Sequence, residues 1–162
     1  KARQEDVVRR LFAAARRNRR EMLLEIVASK AGPCDDGTVA SVIDRFYEIG
    51  VYPDWWKLEP MTSAAAWEKA CAAIARNDPH TRGVEVLGLD APDDALRESL
   101  AAAARFDLVK GFAVGRSIFA DAARRWMAGE IDDRRAVADM ARRYRQLCDV
   151  WDTARAARRG AA

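Results

Sequence analysis

The sequence predicts an α/β fold built on a parallel sheet. Three observations predict it. Four strand-length stretches alternate with helical ones along the chain, and such alternation gives a parallel sheet joined by crossover helices. The first stretch, Met22-Leu-Leu-Glu-Ile-Val-Ala28, is a nearly continuous apolar run, the pattern of a strand covered on both faces. The second lies between Pro53 and Pro60. Proline fixes its own φ and pushes the residue before it towards extended backbone, so both ends read as strand boundaries.

The elements follow in order. Residues 4–19 form a basic, alanine-rich helix with Val7, Val8, Leu11 and Phe12 as its apolar stripe. The first strand spans residues 22–28, and Ser29 to Gly37 is a polar loop. A helix from Thr38 to Ile49 turns Val39, Val42, Ile43, Phe46 and Tyr47 inward, and Gly50 stops it. The second strand is Asp54–Glu59. Thr62 or Ser63 caps a helix running to about Asn77, which Asp78-Pro79 ends. Gly83 to Asp90 is the third strand. Ala91-Pro-Asp-Asp opens a helix to about Arg105, with acids in its first turn as the helix dipole favours. Leu108 to Gly115 is the fourth strand, and a helix follows over 117–128. Asp132 caps a long last helix. Its stripe of Val137, Met140, Tyr144, Leu147, Trp151 and Ala154 is expected to pack on the body of the fold.

Composition excludes several classes of function. The 162 residues suffice for one domain with a core. The net charge of +3 is spread over 28 basic and 25 acidic groups, a mixed surface and not a nucleic-acid footprint. Clusters at Arg16, Arg17, Arg19 and Arg20, and at Arg142, Arg143 and Arg145, read as solvated helix faces. Cys34, Cys71 and Cys148 are odd in number and far apart, and one histidine, His80, lies in a loop. Neither a disulfide framework nor a metal site is expected. No apolar run is long enough for a membrane span, and no signal peptide is recognisable, so a cytoplasmic location and no membrane partner are expected. The chain begins at Lys1, and a segment upstream is expected. No GxGxxG or P-loop follows a strand, which leaves nucleotide binding unsupported, and no cofactor is expected.

In parallel α/β folds the chemistry gathers at the C-terminal ends of the strands. Five lysines stand against 23 arginines, so generic positive charge here is arginine. Lys57 and Lys110, both in predicted strands, are candidates for chemistry instead. A lysine beside tryptophans in a strand can be held partly neutral by Trp55 or Trp56, and a neutral lysine adds to carbonyls as a Schiff base. Glu59 and Glu25 would oppose that shift. The alternative is a lysine salt-bridged at a strand end. Lys110 stands early in its strand, which places it towards the floor of the fold. Glu25 interrupts an apolar strand, and a carboxylate there needs a partner or a job. By period-two alternation Trp55, Lys57 and Glu59 share one face, and Trp56 and Leu58 the other. Gly88 and Asp90 end the third strand. Gly115-Arg116 ends the fourth, where a glycine, a helix N-terminus and a guanidinium fork suit a phosphate; a surface arginine after a glycine turn is the alternative. A carboxylate, a Schiff-base lysine and a phosphate clamp together describe a class I aldolase acting on a phosphorylated ketose.

Four segments carry a resemblance: Pro53-Asp-Trp-Trp-Lys-Leu-Glu-Pro60, Ala75-Arg-Asn-Asp-Pro-His80, Leu87-Gly-Leu-Asp-Ala-Pro92 and Val109-Lys-Gly-Phe-Ala-Val-Gly-Arg116. They resemble the C-terminal domain of bifunctional bacterial 5-dehydro-2-deoxygluconokinases of myo-inositol catabolism, over nearly the whole chain. That domain is similar in turn to tagatose-1,6-bisphosphate aldolases, which are (β/α)8 class I aldolases. The resemblance implies that Lys57 is the Schiff-base lysine of the sixth barrel strand, that Glu25 is the glutamate of the fifth, and that Gly115-Arg116 binds phosphate after the eighth. Residues 1–162 would then be one partial domain, the C-terminal half of a barrel (strands five to eight). Strands one to four and the kinase domain would be missing, since a complete barrel needs about 250 residues.

The implied substrate is 6-phospho-5-dehydro-2-deoxygluconate, a phosphorylated keto-sugar acid. It would be cleaved to dihydroxyacetone phosphate and malonate semialdehyde without a metal. Lys57 and Glu25 would be catalytic, and Arg116, Gly115, Gly88, Asp90 and Glu59 would bind substrate or phosphate. The half barrel alone is expected to be inactive and, with two open edges, to associate as a homo-oligomer. The rival class is a non-catalytic module that keeps a sugar-phosphate pocket without turnover.

Overall fold

The computed structural model describes residues 2–88 and 91–160. Helix α1 (Ala2–Arg17) precedes four strand–helix pairs. These are β1 (Leu23–Ile26) with α2 (Thr38–Glu48), β2 (Trp55–Leu58) with α3 (Ala64–Asn77), β3 (Gly83–Leu87) with α4 (Asp93–Ala103), and β4 (Val109–Ala113) with α5 (Arg116–Met127). Helix α6 (Asp133–Arg159) comes last, and a short 3-10 turn, Ala28–Ala31, follows β1. All three strand pairs are parallel, and the order across the sheet is the order along the chain, β1-β2-β3-β4. The α/β class, the parallel sheet and the alternation are as expected.

Local chemistry sets the element ends. The Ser63 side chain accepts a hydrogen bond from the Ala66 amide at the start of α3, and Asp132 does the same for Arg135 at the start of α6, each satisfying an amide that the helix leaves open. Gly50, at φ +80°, turns the chain out of α2. Gly83 is required for a different reason. The β3–β4 register slips between Val84 and Glu85, which leaves Lys110 out of step. A Cβ on Gly83 would lie 2.6 Å from Lys110 Cγ and 2.7 Å from the Leu108 carbonyl oxygen, and φ there is +143°.

One face of the sheet builds the core. Leu24, Ile26, Trp56, Leu58, Val84, Val86 and Val109 point into it and meet Val39, Ile43 and Tyr47 of α2, Trp67, Ala70 and Ile74 of α3, Leu96 and Leu100 of α4, and Leu147 and Trp151 of α6. Trp56 and Trp67 are wholly buried. The Trp56 indole donates to the Tyr47 hydroxyl at 3.0 Å, so its one polar atom is satisfied inside the core. Burial and the neighbouring carboxylates push the Tyr47 phenol up to about 12.

Two expectations about packing need correction. The apolar run of β1 is covered on one face only: Leu24 and Ile26 are buried, whereas Leu23 is 45% exposed. The helices bury the opposite face, and an uninterrupted apolar sequence does not say which alternate residues they will cover. The stripe of α6 packs only from its middle onwards. Phe112 makes ring contacts with Tyr144 and Trp151, but Val137 is 65% exposed, and Ile131 and Ala136 take the buried positions near the start of the helix. Further along, the Arg155 guanidinium donates to the carbonyls of Ala104, Phe106 and Val109. It ties α6 to the turn that enters β4.

Candidate functional site

The uncovered face of the sheet is polar at its centre. Strand alternation turns Glu25, Lys57 and Glu85 towards it, and the register sets them level: Glu25 pairs with Lys57, and Lys57 with Glu85. A carboxylate, an ammonium and a carboxylate therefore stand in a row across three adjacent strands, about 4.8 Å apart at the backbone. Lys57 Nζ lies 3.1 Å from Glu25 Oε2, with the lysine side chain 24% exposed and the glutamate 48%. Of the partner or job expected for Glu25, the structure shows the partner, Lys57.

The tryptophans divide between the faces as alternation requires. Trp56 lies in the core on the far side of the strand from Lys57, so only Trp55 shares the lysine's face. The Trp55 indole donates to Glu21 at 3.3 Å, and Glu21 is also paired with Arg82 at 2.6 Å. Below the lysine, Asp54 anchors the entry to β2 by accepting from the Met22 amide at 2.8 Å and from Arg16 at 2.9 Å. Burial pushes the Asp54 carboxyl up, but the Met22 amide and the Arg16 guanidinium outweigh it, and the net shift is downwards.

Glu59, expected to bind substrate, is held by the backbone of the neighbouring strand end. It is buried, and its carboxylate accepts from the amides of Ala28 at 2.8 Å and Ser29 at 3.2 Å. Those amides begin the 3-10 turn after β1, where helical N–H groups lack internal partners. Glu59 thus clips the end of β1 to the end of β2, with both carboxylate oxygens engaged by backbone amides.

The residues expected to hold a phosphate lie where β3 and β4 end. Gly88 is packed against the next turn: a Cβ there would stand 3.2 Å from Ser117 Oγ and 3.2 Å from Val114 Cγ1. Gly115 is the N-cap of α5 and the exposed Arg116 its first residue. The close approach permitted by Gly88 brings the ends of the two strands together, and with them Gly115 and Arg116. Asp90 lies outside the described residues. β4 lies two strand spacings from β2, on the order of 10 Å, and Lys57 is level with Gly111, so the α5 N-terminus at Gly115 stands further along towards the C-terminal ends of the strands. Lys110 is lower, with its ammonium donating to the Asp107 carbonyl at 2.8 Å. That is the floor position expected for it.

Two residues of this region were missed in the sequence reading. Glu85 follows from period-two alternation in Gly83-Val-Glu-Val, which sets it opposite Val84 and Val86. Ser117 directly follows the Gly-Arg pair. Among the described residues no group of three His, Cys, Asp or Glu side chains is placed to hold a metal ion, and no helix is long and apolar enough to cross a membrane. A hollow of about 500 Å³ lined by Arg125, Glu130, Arg135, Asp139 and Arg142 belongs to α5, α6 and the turn between them, away from the lysine row.

A parallel α/β sheet that carries an ion-paired lysine on its uncovered face defines the class. The chain belongs to the bacterial family described as "Uncharacterized protein conserved in bacteria (DUF2090)", whose model matches residues 1–155. No curated protein matches it.

Proposed function

We propose that these four strands are strands five to eight of a (β/α)8 barrel, and that the complete barrel is a class I aldolase. It would be the aldolase domain of a bifunctional cytoplasmic 5-dehydro-2-deoxygluconokinase, cleaving 6-phospho-5-dehydro-2-deoxygluconate to dihydroxyacetone phosphate and malonate semialdehyde. The observation that carries it is the Lys57–Glu25 pair at 3.1 Å on the uncovered face of the sheet.

Such a pair suits Schiff-base chemistry. Lys57, once neutral, attacks the substrate ketone, and loss of water leaves an iminium. The iminium draws electrons from the adjacent carbon–carbon bond, which breaks as Glu25 takes the proton of the substrate hydroxyl. The iminium also needs a nearby negative charge, which Glu25 supplies. Arg116, Gly115 and Gly88, with Asp90 beyond the described residues, would hold the phosphate at the mouth of β3 and β4, where barrels of this kind often bind one. The two sheet edges, β1 and β4, support association with the rest of the barrel or with a second copy.

The test is turnover by the full-length protein, with dihydroxyacetone phosphate release followed through a coupled reductase. Lys57→Met is expected to abolish release, and Lys57→Arg likewise, because a guanidinium forms no imine. Full release by Lys57→Arg would exclude an imine at position 57, and no release by the parent itself would favour the non-catalytic sugar-phosphate-binding module.

A further inference from the structure

We propose that Glu85 is a second catalytic carboxylate, on the opposite flank of Lys57 from Glu25, handling the proton that moves while the Schiff base forms. The inference rests on the Schiff-base reading of Lys57 given above. Three observations carry it. Glu85 is level with Lys57 in the β2–β3 register and on the same face. It is partly buried, yet it makes no hydrogen bond or ion pair among the described residues, so no structural bond accounts for a carboxylate whose burial is costly. The space on its far side is open. Its partner on β4 is Gly111, and a Cβ at Gly111 would meet nothing within 4 Å. A ligand reaching from Lys57 towards Gly88 and Gly115 would pass over that gap, beside Glu85.

The two carboxylates then divide the proton transfers. Glu85 takes a proton from the Lys57 ammonium, giving a neutral amine and a carboxylic acid. The amine adds to the carbonyl carbon, and the new N–H proton passes to the former carbonyl oxygen, giving a neutral carbinolamine. The Glu85 acid returns its proton to the carbinolamine hydroxyl, which leaves as water while the nitrogen lone pair forms the C=N bond. Ammonium plus ketone has become iminium plus water, and Glu85 is a carboxylate again. Glu25 remains ionised beside the cation throughout, ready for the hydroxyl proton of the cleavage step.

The experiment measures how fast dihydroxyacetone phosphate becomes trapped on Lys57 by borohydride in the full-length protein, and compares Glu85→Gln and Glu85→Ala with the parent. Loss of a positioned proton carrier is expected to slow trapping about a hundredfold in both. Added formate is expected to restore much of the rate in Glu85→Ala and not in Glu85→Gln, where the amide fills the space. Thermal melts of the variants near the parent's confirm that the slowing is chemical. Equal trapping rates in parent and variants would overturn the role of Glu85 while leaving the aldolase intact. Slow trapping without formate rescue would overturn it too, by reassigning Glu85 to the packing of β3. No trapping in the parent would bring down both readings.

Discussion

At the scale of single residues, the site depends on which face of a strand a side chain takes. Lys57 and Glu25 were legible because they break an apolar or aromatic context, and polar residues in such places need an explanation. Their being cross-strand partners was not legible, since register is set by pairing across some 30 residues of intervening chain. Glu59 could not be read for the same reason. Its carboxylate is matched by amides of Ala28 and Ser29, and a backbone N–H leaves no mark in a sequence. Arg116 carries the clearest prediction here. If it clamps the substrate phosphate, Arg116→Ala raises KM with little change in kcat, by about 2–4 kcal/mol of lost charge-assisted binding. Arg116→Lys recovers only part of this, because a lysine lacks the fork. Steady-state kinetics on the full-length protein decide it, and an unchanged KM in the alanine variant would move Arg116 out of the site.

At the scale of elements, alternation of strand and helix was enough to find the six α-helices and four strands of the described residues, because each crossover helix carries its own apolar stripe and its own stop. What failed was the allocation of faces. The apolar run of β1 gave no sign that Leu23 would be exposed, and the α6 stripe gave no sign that Val137 would lie beyond the body. Both are decided by where a neighbouring element ends. The junction of β3 and β4 offers a direct test of the element packing. Gly83→Ala forces a methyl to within 2.6 Å of Lys110 Cγ and 2.7 Å of the Leu108 carbonyl at a φ that alanine disfavours. The backbone carbonyl cannot swing aside as the lysine can. A loss of about 3 kcal/mol is expected in urea unfolding, and a loss below about 0.5 kcal/mol would mean that the bulge relaxes freely.

At the scale of the whole molecule, the charge network sets the response to pH. Asp107 and Asp139 are held below the usual carboxylate range by hydrogen bonds from Arg158 and Arg142, and Asp35 by the Thr38 hydroxyl and the Gly37 amide. Asp54 is lowered as well, the Met22 amide and Arg16 outweighing its burial. A carboxyl whose folded pKa lies below its unfolded value, about 3.9 for aspartate, contributes stability above that value. The contribution is lost as the pH falls through the folded pKa. The melting temperature is therefore expected to be level from about pH 7 to 5 and to fall below about pH 4. Asp54→Asn should lower it at neutral pH and converge with the parent in acid; a constant difference down to about pH 2 would show that the Asp54 charge contributes nothing.

The claim on which the rest depends is that Lys57 forms a covalent imine with a phosphorylated ketone. Borohydride reduction of the full-length protein mixed with 6-phospho-5-dehydro-2-deoxygluconate, followed by peptide mass mapping, tests it most directly. A reduced adduct is expected on the peptide containing Lys57, lost in Lys57→Met. An adduct on Lys110 instead, or cleavage of the substrate that survives in Lys57→Met, would contradict it.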